Sequence, residues 1–404
     1  MNLNWEEIKF ESLYDGPSKN GLNRPSAVRG KGYKMINMGE IFAHDRIVDI
    51  DMELVELNES EKKNYNINEN DLIFARQSII ADGAGKCSIV LKVPSLTTFE
   101  SHIIRVRLNE KEAYPLFYYY FFQSQLGKGI LSTIRQQGVQ AGIRATDLAK
   151  IKVPKPNLST QKKIANIIDN YDLLIENNEK IINLILESSK HFFNRCFIDF
   201  IINNKKLKIN SSNNLPDKWR VVFLTDYIDL VKGIEPGTKA YHFKRKDDYI
   251  PFIRVGDLNK RKSNIFVSKE IAKSKIANKD EILISLDGSP GLVKFDMYGC
   301  YSSGIRKAVT KQKNISNIFI YNLLSSQYIQ KLIGAYSSGT TILHASSSIK
   351  KMKFILPPDE IFDYYNKTEN KKFDLILNYL SQNKILEEAR DIYILRLFTG
   401  IIKI

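Results

Sequence analysis

The residues best equipped for chemistry in this chain fail, one motif after another, to form an active site. Ala84-Gly85-Lys86-Cys87-Ser88 has the outline of a phosphate loop, but Ile80 and Cys87 stand where a Walker A motif needs Gly and Ser or Thr. No Gly-x-Gly-x-x-Gly follows an apolar run, so that dinucleotide or adenosylmethionine fingerprint is absent. Gly288-Ser289-Pro290-Gly291 lacks the spacer of a nucleophile elbow. His44, His102, His191, His242 and His344 stand alone, without a second ligand at metal spacing. Adjacent acids such as Glu6-Glu7 and Asp247-Asp248 read as solvated pairs, and Pro357-Pro358-Asp359 lacks the first residue of an amino-methyltransferase tetrapeptide. The sequence therefore predicts no catalytic residue and no metal ligand, and a protein that binds and directs.

The remaining side chains of interest are basic and polar, gathered in Gly-, Ser- and Asn-rich stretches. In the first half these are Lys19, Asn20, Arg24, Arg29, Lys31 and Lys34, then Arg76-Gln77, then Arg135, Gln137, Gln140 and Arg144. In the second half they are Lys239, Tyr241, His242, Lys244, Arg245 and Lys246, then Arg254, Asp287, Ser289, Ser338, Thr340 and His344. Arg and Gln grip guanine and adenine edges bidentately, whereas a Lys-rich run holds phosphates. For any one of them the plain alternative is a solvated loop residue.

Charge supports a polyanionic partner and shows where it sits. Sixty basic against 45 acidic residues leave +15. Residues 201–358 carry 27 basic and 12 acidic residues, so that stretch alone holds +15. Residues 1–159 hold only +2, because Asp45 to Asp71 contains nine acids and three bases. The 404 residues exceed one ordinary core, and the longest apolar run, Tyr114 to Phe122, is far short of the roughly twenty residues of a membrane span. The charged N-terminus lacks a signal-peptide core, and three scattered cysteines form no disulfide framework, so a cytoplasmic protein is expected.

The chain is a repeat. The only tryptophans, Trp5 and Trp219, open two similar stretches. Ile36, Gly39 and Glu40 answer Ile253, Gly256 and Asp257, and Asp71-Leu72-Ile73 answers Glu281-Ile282-Leu283. Asp82-Gly83 answers Asp287-Gly288, and Gln123-Ser124-Gln125 answers Ser325-Ser326-Gln327. From Gly138 and Gly339 onward the offset stays at 201, while earlier offsets drift as loops change length around a kept scaffold.

Each repeat reads as a mixed module followed by a long helix. Strands are expected at Leu72–Ala75, Ile89–Val93, Ile103–Leu108 and Ile282–Ser285, and one helical stretch at Leu116–Leu126 or Ile318–Leu332. Six consecutive aromatics, Phe117 to Phe122, cannot all face solvent, so burial is preferred to a base-stacking surface. The long helix is expected to be capped by Ser159 or Thr160. Within it Ile168, Tyr171, Ile175, Asn178, Ile182, Ile185, Ser189, Phe192 and Cys196 keep an unbroken 3-4 spacing. Ile167, Leu174 and Ile181 widen that seam into a second contact face. The second copy is read from about Phe373 to Phe398, with Ile376, Tyr379, Leu380, Leu386, Tyr393 and Leu397 as core. Two such helices in one chain pair most simply antiparallel, as a rod of roughly 55–60 Å.

Ile151-Lys152-Val153-Pro154-Lys155-Pro156, Gln161-Lys162-Lys163-Ile164-Ala165, Asp169, Asp172, Ile175, Asn178 and Phe197-Ile198-Asp199-Phe200 resemble the central conserved region of type I restriction-modification specificity (S) subunits. The resemblance spans nearly the whole chain, although Pro357-Pro358-Asp359-Glu360 lacks the Gln-Lys-Lys-Ile of the first copy. It implies an α+β chain with two tandem pseudo-symmetric α/β target-recognition domains, at 1–157 and 216–357. Two long helices, in 158–200 and 358–404, pair as an antiparallel coiled coil, with a linker at 201–215. It further implies that each domain reads one half of a split DNA target while the helices set the gap. Two methyltransferase subunits would dock on the helices, and two motor-nuclease subunits would join them. S-adenosylmethionine, ATP and Mg would sit on those partners and no cofactor on this chain. The rival readings are an enzyme acting alone, a helical scaffold binding only protein, or the same subunit in a related type II or other defence system.

Overall fold

The computed structural model describes residues 5–25, 28–79, 83–94, 96–136, 141–338 and 343–402. It divides into two compact units: residues 1–175 with 385–404, and residues 176–384. Each unit contains one mixed module and one stretch of both long helices.

In the first unit a five-stranded sheet runs in the order Lys19–Asn20, Ile103–Val106, Leu72–Ala75, Cys87–Val90, Arg46–Ile47, beside a three-stranded sheet centred on Arg29–Ile36. The second unit has two four-stranded sheets. One centres on Ile305–Thr310 and Ile282–Ser285, the other on Tyr249–Ile253 and Gly299–Tyr301. The duplication is visible in particular contacts. Met35-Ile36 pairs parallel with Thr98-Phe99, and Phe252-Ile253 pairs parallel with Cys300-Tyr301. Where the chain crosses behind this pair it carries Gly21 in one unit and Gly233 in the other. A Cβ at Gly21 would lie 2.1 Å from the Phe99 oxygen, and one at Gly233 2.2 Å from the Tyr301 oxygen, so only glycine fits. Each module is closed by its opening strand paired antiparallel with the strand before a long helix: Glu6–Lys9 with Lys152–Lys155, and Arg220–Phe223 with Lys353–Leu356.

The expected single helix is two helices in both modules, Pro115–Gln123 then Gln125–Thr133, and Asn317–Leu324 then Gln327–Ala335. Ser124 is extended, and its hydroxyl accepts from the Gly127 amide; Ser326 does the same for Ile329. A serine that caps the next helix ends the previous one, because an N-cap leaves the helical region. Phe117 to Phe122 are all buried, as their number required.

The long helices are Leu158–Phe197 and Asp359–Phe398. Asn157, not Ser159 or Thr160, caps the first, its side chain accepting from the Thr160 amide at 2.9 Å. The second starts fourteen residues before the apolar run at Phe373, because Phe362, Tyr365 and Glu369 carry the inward face through an otherwise polar stretch. Within each unit the helices run antiparallel. In the first, Tyr171 packs on Tyr393 and Asp172 pairs with Arg390. In the second, Asn178 meets Asn383, Phe192 stacks on Tyr365 and Phe197 packs on Phe362. Ile168, Ile175, Ile182 and Ile376 are buried, whereas Tyr171, Ile185, Tyr379 and Leu386 are half-buried. Leu174, expected on a second contact face, is 51% exposed.

The stretch from 201 to 216 forms two short antiparallel pairs, Ile201–Ile202 with Lys205–Lys206 and Ile209–Asn210 with Leu215–Pro216. Phe200 anchors them against Trp219. Cys87, Cys196 and Cys300 are buried free thiols, and burial pushes Cys196 up to about 12 and Cys300 to about 11. Among the described residues no helix is long and apolar enough to cross a membrane.

Asn178 Nδ2 donates to Asn383 Oδ1 at 2.8 Å inside the seam. Replacing Asn178 by Leu strands the Asn383 amide, with an expected loss of about 1–3 kcal/mol in denaturant unfolding. The double variant Asn178→Leu with Asn383→Leu is expected to recover most of that loss, since an apolar pair leaves no buried amide unpaired.

Candidate nucleic-acid interface

The expected basic loop of the first module is largely strand, with Lys19 on Lys19–Asn20 and Arg29, Lys31 and Lys34 on Arg29–Ile36, and its cations are tied down within their own unit. Arg24 pairs with Glu61 at 2.5 Å, and that guanidinium, with the Asn58 amide, holds the Glu61 carboxyl below the usual carboxylate range. Arg29 pairs with Glu53 and donates to the Arg24 carbonyl oxygen. Lys31 lies 3.0 Å from Glu56 and Lys34 2.6 Å from Asp49. Lys19 Nζ donates to the Asn64 carbonyl oxygen at 3.1 Å. These acids belong to the Asp45–Asp71 stretch that lowers the first half's charge. Asn20 sits on an edge strand and stays exposed.

A second group in this unit surrounds a short ribbon. Gln77-Ser78 pairs antiparallel with Ala141-Gly142, and Gly142 also bridges to Gln136. The Arg76 backbone holds the ribbon, its amide donating to His102 O and its carbonyl accepting from Ile143. Arg135 Nε donates to the Ala84 oxygen at 2.8 Å, and Arg144 projects from the start of the next helix. Gln137 and Gln140 lie outside the described residues.

The second module leaves more cations without acids. Among the described residues Lys239, Lys244 and Arg245 are exposed and have no acidic partner, and Lys246 lies over the Tyr249 ring. Tyr241 donates to Glu235 at 3.0 Å, His242 packs edge-on against Tyr249, and Arg254 pairs with Asp257. Asp287-Gly288 pairs with Leu343-His344 in a ribbon like that of the first module, with His344 also bridged to Ser338. The pairing makes Asp287-Gly288 the counterpart of Gln77-Ser78 and not of Asp82-Gly83, and His344 the counterpart of Gly142 at an offset of 202 rather than 201, because strand register and not the Asp-Gly likeness relates the two copies. Ser289 follows, exposed, its carbonyl taken by the Ser285 hydroxyl. Thr340 lies outside the described residues. The structure thus brings the predicted residues of each unit to a ribbon and to a basic loop, but not into one cluster.

Sequence reasoning missed the polar contacts that join each module to its helices. In the first unit Tyr120, on the aromatic helix, donates to Asp172 Oδ2 at 2.7 Å, while Arg390 Nη1 donates to Asp172 Oδ1 at 2.6 Å. Arg46 Nη1 reaches Asp169 and the Tyr120 hydroxyl. Burial and the charge of Asp172 push the Tyr120 phenol well above its ordinary value. In the second unit Asn322, likewise four residues before the capping serine, donates to Ser189 Oγ at 2.8 Å and to the Tyr365 hydroxyl at 2.9 Å. A signal was available: Ile376, Tyr379, Asn383, Leu386, Arg390, Tyr393 and Leu397 keep the 3-4 spacing, so Asn383 and Arg390 occupy seam positions. Among the described residues no cluster of three or more His, Cys, Asp or Glu is placed to hold a metal.

The profile of the type I restriction modification DNA specificity domain matches this chain twice, over residues 3–187 and 216–391. The chain belongs to that family. A Methanocaldococcus jannaschii protein provisionally named type I restriction enzyme MjaX specificity subunit is 23% identical over 99% of this chain and 94% of its own length. The MjaIX specificity subunit of the same organism is 25% identical over 71% of this chain and 68% of its own. The crystal structure of the type I restriction-modification system S subunit from M. genitalium covers 98% of this chain and 96% of its own. It has a TM-score of 0.54 at 16% identity, a likeness of fold. Each match spans one module and part of the long helix that follows it.

Three outcomes follow for this family member. Lys244→Ala and Arg245→Ala are each expected to flatten the dependence of log affinity on log salt by about 0.9 in DNA titrations, whereas Arg24→Ala, whose charge Glu61 already offsets, is expected to flatten it less. Asp172→Ala leaves the Arg390 guanidinium without its buried partner and is expected to cost about 3 kcal/mol in equilibrium unfolding. Tyr120→Phe, which removes the hydroxyl that donates to Asp172 and accepts from Arg46, is expected to cost about 1–3 kcal/mol.

Proposed function

We propose that this chain is the DNA specificity subunit of a type I restriction-modification complex, its two modules reading the two halves of a split, asymmetric target. One observation carries the reading: the duplicated module, each copy matched by the specificity-domain profile and each packed on its own stretch of the antiparallel helix pair. The recognition domains are 1–157 and 216–357, and the helices of 158–200 and 358–404 set the gap between half-sites. Residues 201–215 connect the first helix to the second module.

In the first module the reading residues are drawn from Arg76, Gln77, Arg135, Gln137, Gln140 and Arg144, with Lys19, Asn20, Arg24, Arg29 and Lys31 nearer the backbone. In the second, Lys239, Tyr241, His242, Lys244, Arg245 and Arg254 face phosphates, while Asp287, Ser289, Ser338 and His344 lie at the ribbon, and Thr340, outside the described residues, belongs to the same reading set by sequence. The helix-pair interface consists of Ile168, Tyr171, Ile175, Asn178, Ile182, Ile185, Ile376, Tyr379 and Leu386. Phosphate contacts supply affinity and register, and base-edge contacts supply selection.

The chain catalyses nothing itself. Two methyltransferase subunits dock on it, and two motor-nuclease subunits complete the cleaving assembly. S-adenosylmethionine, ATP and Mg act on those partners, in the cytoplasm. Exposed Leu173, Leu174, Leu184, Ile385, Ile392 and Leu395 on the long helices support helix docking, since scattered polar surface would suffice for a free rod.

The test is the adenine methylome of a methylation-free host carrying the partner methyltransferase, with and without this chain. A split motif that requires the chain is the expected result. Exchanging residues 201–358 for another module is expected to change one half-site only; a change in both half-sites overturns the modular reading. An active methyltransferase that yields no chain-dependent motif turns the reading toward a protein scaffold.

A further inference from the structure

The ribbons of the two modules share a backbone and differ in what they present. Gln77, Gly142 and Gln136 are cross-strand neighbours in the first unit, and Asp287, His344 and Ser338 occupy the same three positions in the second. In the first, the glycine leaves room beside the Gln77 side chain, whose Cγ would lie 3.7 Å from a Cβ at Gly142. In the second, the side chain on the facing strand is an imidazole. His344 Nδ1 lies 2.8 Å from Asp287 Oδ1 and the His344 side chain is 63% exposed.

Asp287 is itself held from below. Arg306, 4% exposed, approaches its other oxygen at 3.7 Å and is anchored by Ser346 Oγ at 2.7 Å. The Asp287 amide and that of Leu286 both donate to Gly304 O, and a Cβ on Gly304 would sit 2.9 Å from Val255 Cγ2. Beyond it the chain turns through Gly288 at φ +78 and Gly291 at φ +97. The buried Ser285 hydroxyl staples this turn, donating to Ser289 O and accepting from the Leu292 amide at 3.0 Å. That support fixes the Asp287 carboxylate, and Asp287 in turn holds Nδ1 of the exposed His344 ring.

A carboxylate offers only acceptors, so Nδ1 of the neutral ring carries the proton and the outward Nε2 is an acceptor. We propose that His344, oriented by Asp287, is a base-reading residue of the second module, its Nε2 accepting a hydrogen bond from the exocyclic amine of adenine or cytosine in the major groove. These are the two bases that present an amino group there. The assignment rests on the reading of the module as a DNA-recognition domain. Asp287 is a positioning residue: it touches no base and sets which proton the ring shows.

The test uses the full chain with its methyltransferase, again by methylome, comparing wild type, His344→Ala and Asp287→Asn. Wild type without a split motif means that the recognition reading itself has failed. Given a wild-type motif, His344→Ala is expected to relax one position of one half-site, with discrimination there falling about ten-fold, the order of one mismatched contact, while the other half-site and the gap stay unchanged. In Asp287→Asn the amide can donate to Nδ1, which turns Nε2 into a donor. Preference at that same position is expected to move toward a base offering an acceptor there. A merely structural Asp287 would lower melting temperature and overall modification without changing the base chosen. The inference is overturned if both variants keep the wild-type motif, if both half-sites change, or if modification vanishes in both with melting temperature unchanged.

Discussion

The contact that fixes each module to the long helices is a small buried polar junction, and the geometry of recognition depends on it. In the first unit the Tyr120 hydroxyl and Arg390 converge on Asp172, while in the second Asn322 reaches Ser189 and Tyr365. Apolar packing alone tolerates sliding, because any apolar surface of similar shape satisfies it. A buried carboxylate or amide tolerates no such slip, since displacement by one turn leaves it desolvated and unpaired. The same logic applies along the seam, where Asn178 and Asn383 are each other's partner.

The two junctions occupy matching turns and use different chemistry. One is charged and the other neutral, although the helix carrying Tyr120 and the helix carrying Asn322 end in the same serine-capped break. A duplicated chain keeps backbone features that glycine and capping serine enforce, because a Cβ would clash at the glycines and few side chains cap a helix. Side chains at a junction need only satisfy each other, so they change in sets. The ribbons follow the same rule at the exposed end of each module. Backbone pairing is retained while Gln77 with Gly142 is exchanged for Asp287 with His344. A rigid scaffold carrying exchangeable side chains is what a subunit needs to read two unlike half-sites.

The distribution of charge separates the modules further. The acids of Asp45–Asp71 neutralise the first basic loop within its own unit, through Arg24–Glu61, Arg29–Glu53, Lys31–Glu56 and Lys34–Asp49. Among the described residues the stretch from Lys239 to Lys246 has no such counterpart, with Lys269 taking Asp248. Among the described residues the second module therefore presents more exposed cations without an acidic partner than the first.

Much of the architecture was legible in the residues. Trp5 with Trp219, the matched Gln-Ser-Gln and Ser-Ser-Gln, and the 3-4 spacing from Ile168 to Cys196 announced a duplication and a helical seam, because periodicity and capping are local properties of a chain. The burial of Phe117 to Phe122 was likewise forced by composition. Other features required the folded chain. The serine break inside the expected helix depends on whether Ser124 caps forward or continues the turn. The early start of the second long helix depends on Phe362, Tyr365 and Glu369 finding an inward face through a polar stretch. Above all, Arg24, Arg29, Lys31 and Lys34 look in sequence like a free basic loop. Pairing between residues up to 37 positions apart turns them into half of a balanced surface. A formal charge is a property of a residue, but its availability to a ligand is set by which opposite charge the fold places beside it.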